Sequence, residues 1–150
     1  MKSTKTGSNT IDVHYRKKPG APVNPEKAAE AVLNAEKKKG CKINIVFTGN
    51  DFIQKINVKY RMRNYATDVI AFGFLKKDYG YEGGDIFISA DKAAENADKY
   101  GISLKEELTR LIIHGVLHVI GYDHEKGGGR KKNMMQKQEK YLKLVMKGGR

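Results

Sequence analysis

Three of the chain's four histidines fall in one segment, HGVLHVIGYDH, residues 114 to 124. His114 and His118 are four apart, which on an α-helix stacks two imidazoles one turn apart on one face, within reach of a single cation. Gly121 tolerates left-handed dihedrals, so the helix can end there and turn His124 back toward the same point. Three imidazoles and one open position are the donor set of a catalytic zinc, with ligands at about 2.0–2.1 Å and a water made acidic enough to react. A closed structural site needs a fourth ligand, and Cys41 and His14 lie far upstream in sequence. We expect His114, His118 and His124 to hold one divalent metal ion, with Zn2+ the first choice, although three imidazoles also accept nickel and copper.

The same intervals occur in the metzincin protease pattern HExxHxxGxxH, and this chain matches both histidine spacings and the glycine. Gly115, however, stands where the protease has its general-base glutamate, and a glycine accepts no proton. Peptide cleavage must also deliver a proton to a poor leaving amine. A metalloprotease is therefore a distant alternative. Met134 and Met135 lie in a Lys-rich helical pattern and read as packing residues, not as the protease's methionine turn.

Charge points to a polyanion. The 150 residues carry 29 Lys and Arg against 17 Asp and Glu, a net +12. Between Glu125 and Arg150 nine basic residues face two acidic ones, so more than half of the excess sits at the C-terminal end. Nucleic acid ranks ahead of an anionic membrane surface as the partner, and a solvated helix face is the plainer explanation of the same lysines. No apolar run approaches the roughly 20 residues that cross a bilayer, and MKSTKTGSNT lacks a signal-peptide core. One cysteine forms no internal disulfide, which fits a cytoplasmic protein, and Cys41 reads as a small buried hydrophobe.

A second group of residues lies upstream. INVKYRMRNYATDVIAF places Arg61 and Arg63 just before a strand that begins Thr67-Asp68. The planar fork of an arginine suits a phosphate, and beside a metal it would hold a phosphodiester and stabilise transition-state charge. Taken alone, such an arginine is more often a surface or ion-paired residue. Tyr60 and Tyr65 are candidates for base stacking, or for core and rim positions.

The elements that must position these groups follow from periodicity. Residues 11–15 alternate as a strand, and Asn24 and Pro25 open a helix over 25–38 that Gly40 ends. CKINIVF, 41–47, is a strand with one buried face. Asn50 caps a helix to 59 that turns Phe52, Ile53, Ile56 and Val58 inward. TDVIAFGF, 67–74, reads as a central strand, and it forms a hairpin with DIFIS, 85–89. Asp91 caps a helix over 92–100 closed by Gly101, and Ser103 with Glu106 forms a capping box for the next helix. That helix carries His114 and His118 and is apolar on most sides, so it belongs in the middle of the domain. Residues 127–129 read as a glycine hinge and 130–147 as a basic final helix with Met134, Gln138, Tyr141, Leu142 and Val145 on one stripe. The fold class is α+β: one compact domain over 1–150, with a small mixed sheet of about four strands, a central metal-bearing helix, and residues 1–10 flexible.

With both groups in view, the chain resembles the YbeY family of bacterial ribosomal RNA maturation endoribonucleases. The family motif HGxLHLxGYDH appears here as HGVLHVIGYDH, with Val119 for leucine. A second block, an asparagine, a Tyr-Arg pair and PTDVLSFP, appears as Asn57, Tyr60-Arg61 and ATDVIAFGF, and the GDI strand opening as Gly84-Asp85-Ile86. The matches cover roughly residues 55 to 125. The resemblance implies that His114, His118 and His124 are the metal ligands, usually of zinc, and that Arg61 is the catalytic arginine. It implies a single-strand-specific, metal-dependent endoribonuclease that matures the 3′ end of small-subunit ribosomal RNA and serves ribosome quality control. The implied partners are ribosomal RNA, the small ribosomal subunit and an Era-type GTPase, with no membrane. Ala66, Ala71 and Gly73 replace the family's proline, serine and proline at the border of the expected cleft. Asp123, beside a ligand, is a candidate to orient His124 or its neighbour. The alternative function is an RNA-binding ribosome assembly factor with a structural metal and little nuclease activity.

Overall fold

The computed structural model describes residues 2–6, 9–74, 78, 80–122 and 128–148, with side chains for all of these except 2–6, 128–132 and 148. Strands β1 (Lys2–Thr6), β2 (Asn9–Tyr15), β3 (Lys42–Thr48), β4 (Val69–Phe74) and β5 (Gly83–Ser89) form one sheet of order β1-β2-β3-β5-β4. The middle pairs, β2 with β3 and β3 with β5, are parallel, and the outer pairs are antiparallel, so the sheet is mixed. Five helices are described: α1 (Pro25–Ala35), α2 (Asn50–Arg61), α3 (Ala90–Tyr100), α4 (Leu104–Val119) and α5 (Gly128–Gly148).

Alternation along the strands decides what covers each face, since neighbouring side chains point oppositely. On β5, Ile86 and Ile88 are fully buried and meet α4, while Phe87 turns to the other side and meets Phe52 of α2 at 6.2 Å between ring centroids. Ile11 and Val13 of β2 and Ile43, Ile45 and Phe47 of β3 join Ile86 in the same core as Val32 and Leu33 of α1 and Leu108, Ile112 and Val116 of α4. Each such large aliphatic side chain contributes about 1.5–3 kcal/mol when fully buried. Helix α4 thus lies in the middle of the domain, in contact with β4, β5 and all the other helices except α2 at its main packing surfaces. Cys41 is buried in this core, and burial pushes its thiol pKa up, which leaves it a packing residue.

Several boundaries differ from the sequence reading. Residues 2–6 are not a flexible arm: they pair with residues 9–13 as an edge strand. Their side chains, KSTKT, carry no apolar alternation, and their contribution is backbone pairing. Among the described residues the mixed sheet thus has five strands, against the expected about four. TDVIAFGF is an edge strand instead of a central one, its apolar content explained by α4 on one side and the Tyr60 and Phe87 rings against Phe72 on the other. Helix α1 stops at Ala35, well before Gly40, with Lys37 at φ 59. Gly49 and Ser89, not Asn50 and Asp91, occupy the N-cap positions of α2 and α3, and Ser89 accepts from the Lys92 amide at 3.1 Å. Val58 is 45% exposed instead of inward. The expected hinge is part of a helix, because α5 already includes Gly128 and Gly129; Gly127 lies outside the described residues. Ser103 caps α4 as expected, accepting from the Glu106 amide at 3.0 Å, but the Glu106 carboxylate pairs with Arg110 instead of completing the box.

Candidate metal centre and RNA cleft

Helix α4 brings His114 and His118 into a cleft of about 560 Å³, whose opposite side carries Arg61, Arg63, Tyr65 and Asp68. Two of the expected metal ligands, His114 and His118, and the expected catalytic arginine, Arg61, thus come from distant parts of the sequence to line one cleft. His124 and Asp123 lie outside the described residues, and among the described residues no group of three metal-ligating side chains converges.

The histidine side is built by close packing and a chain of hydrogen bonds. A Cβ on Gly115 would stand 2.6 Å from Cγ2 of Ile86, so the helix approaches the sheet as closely as it does because this residue has no side chain. There is no room at that position for a protease's glutamate. At the helix end Gly121 adopts φ 115, its amide donates to the His118 carbonyl at 3.1 Å, and the Tyr122 amide donates to Leu117 at 3.0 Å. These two bonds satisfy carbonyls of the last helical turn, with Gly121 at a positive φ. Tyr122 is then pinned: its hydroxyl donates to Glu36 at 2.8 Å, and Lys137 (2.9 Å) and Tyr141 also donate to that carboxylate. Burial pushes the Glu36 carboxyl up, but the hydrogen bonds from Tyr141, Lys137 and Tyr122 outweigh it and hold the pKa below the ordinary carboxylate range.

His114 Nδ1 lies 2.7 Å from Oε1 of Gln138, on α5. An amide oxygen only accepts, so Nδ1 donates, and in the neutral imidazole that tautomer leaves the lone pair on Nε2. That fits a metal ligand, whose second nitrogen is ordinarily engaged in such a bond. Gln138 Nε2 donates to Glu139 at 3.2 Å, and Glu139 takes two bonds from Arg110, 3.0 and 3.1 Å. Hydrogen bonding from Arg110 holds the Glu139 carboxyl below its ordinary pKa, and Glu139 raises that of Arg110.

The arginine side is looser. Arg61 ends α2, and Met62 at φ 57 forms the left-handed cap, so the chain turns away and leaves the guanidinium facing the cleft. Its Nη2 donates to the Ala71 carbonyl at 3.2 Å and its Cζ lies 5.6 Å from the Phe72 ring centroid, while its Nε is buried with no hydrogen-bond partner among the described residues. A buried donor without a partner costs about 1–3 kcal/mol, and a phosphate oxygen would satisfy it. Asn57 holds the following loop by donating to the Tyr65 carbonyl at 2.9 Å, and Asp68 accepts from Asn96 at 3.1 Å. Tyr65 lines the cleft and is 52% exposed; Tyr60 packs edge-on to Phe72 at 5.3 Å instead. Of the departures from the family pattern, Ala71 lines the cleft, whereas Gly73 lies under the end of α4, where a Cβ would come within 2.7 Å of the Val119 carbonyl.

Sequence reasoning missed Gln138, Asn57 as a loop anchor, and Tyr100, which is 61% exposed at the cleft. For Gln138 a signal existed: one polar residue on an otherwise apolar stripe of α5.

Residues 12–146 match the family model described as Endoribonuclease YbeY. The chain is 36% identical to the Endoribonuclease YbeY of Aquifex aeolicus (strain VF5) over 148 residues, covering 98% of this chain and 99% of that protein. It is 41% identical to that of Bacillus licheniformis over 113 residues, 69% of this chain and 71% of the relative. The solution structure of TM1509 from Thermotoga maritima is similar with a TM-score of 0.63 at 28% identity, covering 90% of this chain and 88% of that one.

Proposed function

Because the chain belongs to the YbeY endoribonuclease family, we propose that it cuts single-stranded RNA in the cleft between Arg61 and the histidines of α4, in maturing the 3′ end of small-subunit ribosomal RNA and in ribosome quality control. One observation carries this reading of the cleft: Arg61, with an unsatisfied buried Nε, lines the same cavity as His114 and His118.

In this reading His114, His118 and His124 hold one divalent ion, zinc in the first instance, which supplies Lewis acidity toward a phosphoryl oxygen or a water. The fit rests on the imidazoles one turn apart and on the Gln138 bond to Nδ1 of His114, which in the neutral ring places the lone pair on Nε2. Arg61 binds the phosphodiester. Its Nε gains an acceptor, and its charge stabilises the negative charge that develops on the phosphoryl oxygens. The net charge of +12 attracts the RNA backbone without reading its sequence. Tyr65 offers a face to an unstacked base, which favours single strands over duplex. The partners are ribosomal RNA, the small ribosomal subunit and an Era-type GTPase, and the setting is cytoplasmic. A lone buried cysteine suits a reducing compartment, and among the described residues no helix is long and apolar enough to cross a membrane.

The test compares wild type with His118→Ala on a single-stranded fragment of ribosomal RNA and on the same fragment annealed to its complement. Wild type should cut the single strand and spare the duplex, and His118→Ala should cut neither. Equal cleavage of both substrates, or full activity in His118→Ala, would overturn the reading.

A further inference from the structure

We infer that Gln138 is a positioning residue that fixes His114 with its proton on Nδ1, and that Arg110 and Glu139 hold the Gln138 amide in the one orientation that does so. The relay begins at Arg110. Arg110 is anchored on its own helix by Glu106 and Glu107, each at 3.2 Å, and it donates to both oxygens of Glu139 at 3.0 and 3.1 Å. With that partner Glu139 stays ionised, and a carboxylate accepts hydrogen bonds only. The end of the Gln138 amide 3.2 Å away must therefore be the NH2 group. The carbonyl end then falls 2.7 Å from His114 Nδ1, which must donate to it.

The opposite orientation is penalised twice. It would set the amide oxygen against the Glu139 carboxylate, and it would turn the NH2 group toward Nδ1, driving the imidazole proton onto Nε2. Gln138 is only 4% exposed, so water does not readily replace either bond. The C-terminal helix thus controls which nitrogen of His114 offers its lone pair to the cleft. This inference rests on the reading of His114 as a metal ligand only in its consequence for affinity; the tautomer itself is a property of the metal-free chain.

The experiment is nitrogen-15 NMR of the histidine rings in the full-length, metal-free protein at about pH 8, above the usual histidine range, followed by titration with Zn2+. In wild type His114 should be protonated on Nδ1. Gln138→Leu, which keeps an apolar-compatible volume, should give a mixture of tautomers and weaken zinc binding about 10–100-fold. Glu139→Ala, at a partly exposed position that leaves the core intact, should shift the tautomer ratio in the same direction by less. A wild-type proton on Nε2, or a tautomer ratio unchanged in both variants, would overturn the inference. Wild type with the expected tautomer but no zinc binding would instead count against the metal reading and leave the relay standing.

Discussion

The two walls of the cleft are built in opposite ways. On the histidine wall, α4 is pressed onto the sheet at Gly115, and His114 is bonded through Gln138 and Glu139 to Arg110. On the arginine wall, the side chains follow a left-handed helix cap, Tyr65 is half exposed, and Arg61 keeps a buried Nε without a partner. A metal site gains from rigid, pre-aimed ligands, because misplacing them costs affinity at once. A substrate-binding wall gains from open donors, which are satisfied only when the anionic group arrives. The division of bonding between the walls matches the division of chemistry proposed for them.

The comparison breaks most severely if the histidine wall loses a ligand. Removing the metal with a chelator should bring RNA cleavage to background, and adding back Zn2+ should restore it in wild type but not in His114→Ala; gel assays of a single-stranded substrate check this. The next largest effect belongs to the backbone of that wall. Gly115→Ala forces a Cβ to within 2.6 Å of Ile86 and should destabilise the fold by about 1–3 kcal/mol, as overpacked cores do, read as a lower thermal midpoint. The corresponding change on the open wall, Tyr65→Ala, should leave the midpoint nearly unchanged and weaken binding of single-stranded RNA.

The smallest effect sharpens the contrast through pH. Glu36 fastens the motif's Tyr122 to α5, and its pKa is lowered in the fold despite burial because Tyr141, Lys137 and Tyr122 donate to it. A carboxyl with a depressed folded pKa adds stability that is present above its ordinary 4.5 and lost as pH falls through the lower folded value. Glu139, held down by Arg110, acts in the same direction. Thermal melts of wild type should therefore fall in acid below that ordinary value. Glu36→Gln should be less stable than wild type at neutral pH and converge with it in acid.

The histidine wall was the more legible of the two in sequence. Ser103, the apolar run to Val119 and Gly121 mark where α4 begins, how it is buried and where it turns, and the structure places each as expected. Periodicity reports burial and φ preference, and these are the forces that shape that wall. What it does not report is pairing between elements distant in sequence. Strand β1 has only polar side chains, so nothing but its backbone bonds to β2 reveals it. The apolar run of β4 looked central because a helix and aromatic rings cover it as thoroughly as neighbouring strands would. Gln138 counted as one stripe position among five until its distance to His114 was known. Arg61 was legible as a residue type in a motif, but its unsatisfied Nε is visible only in three dimensions.

The most direct test of this division of labour is a paired measurement on Arg61→Ala: bound metal per chain, and the rate of cleavage of a single-stranded ribosomal RNA fragment at saturating substrate. The account predicts unchanged metal content with cleavage reduced by about 10²–10³-fold, the loss typical of one transition-state donor. Wild-type cleavage with the metal retained, or loss of the metal together with the activity, would contradict it.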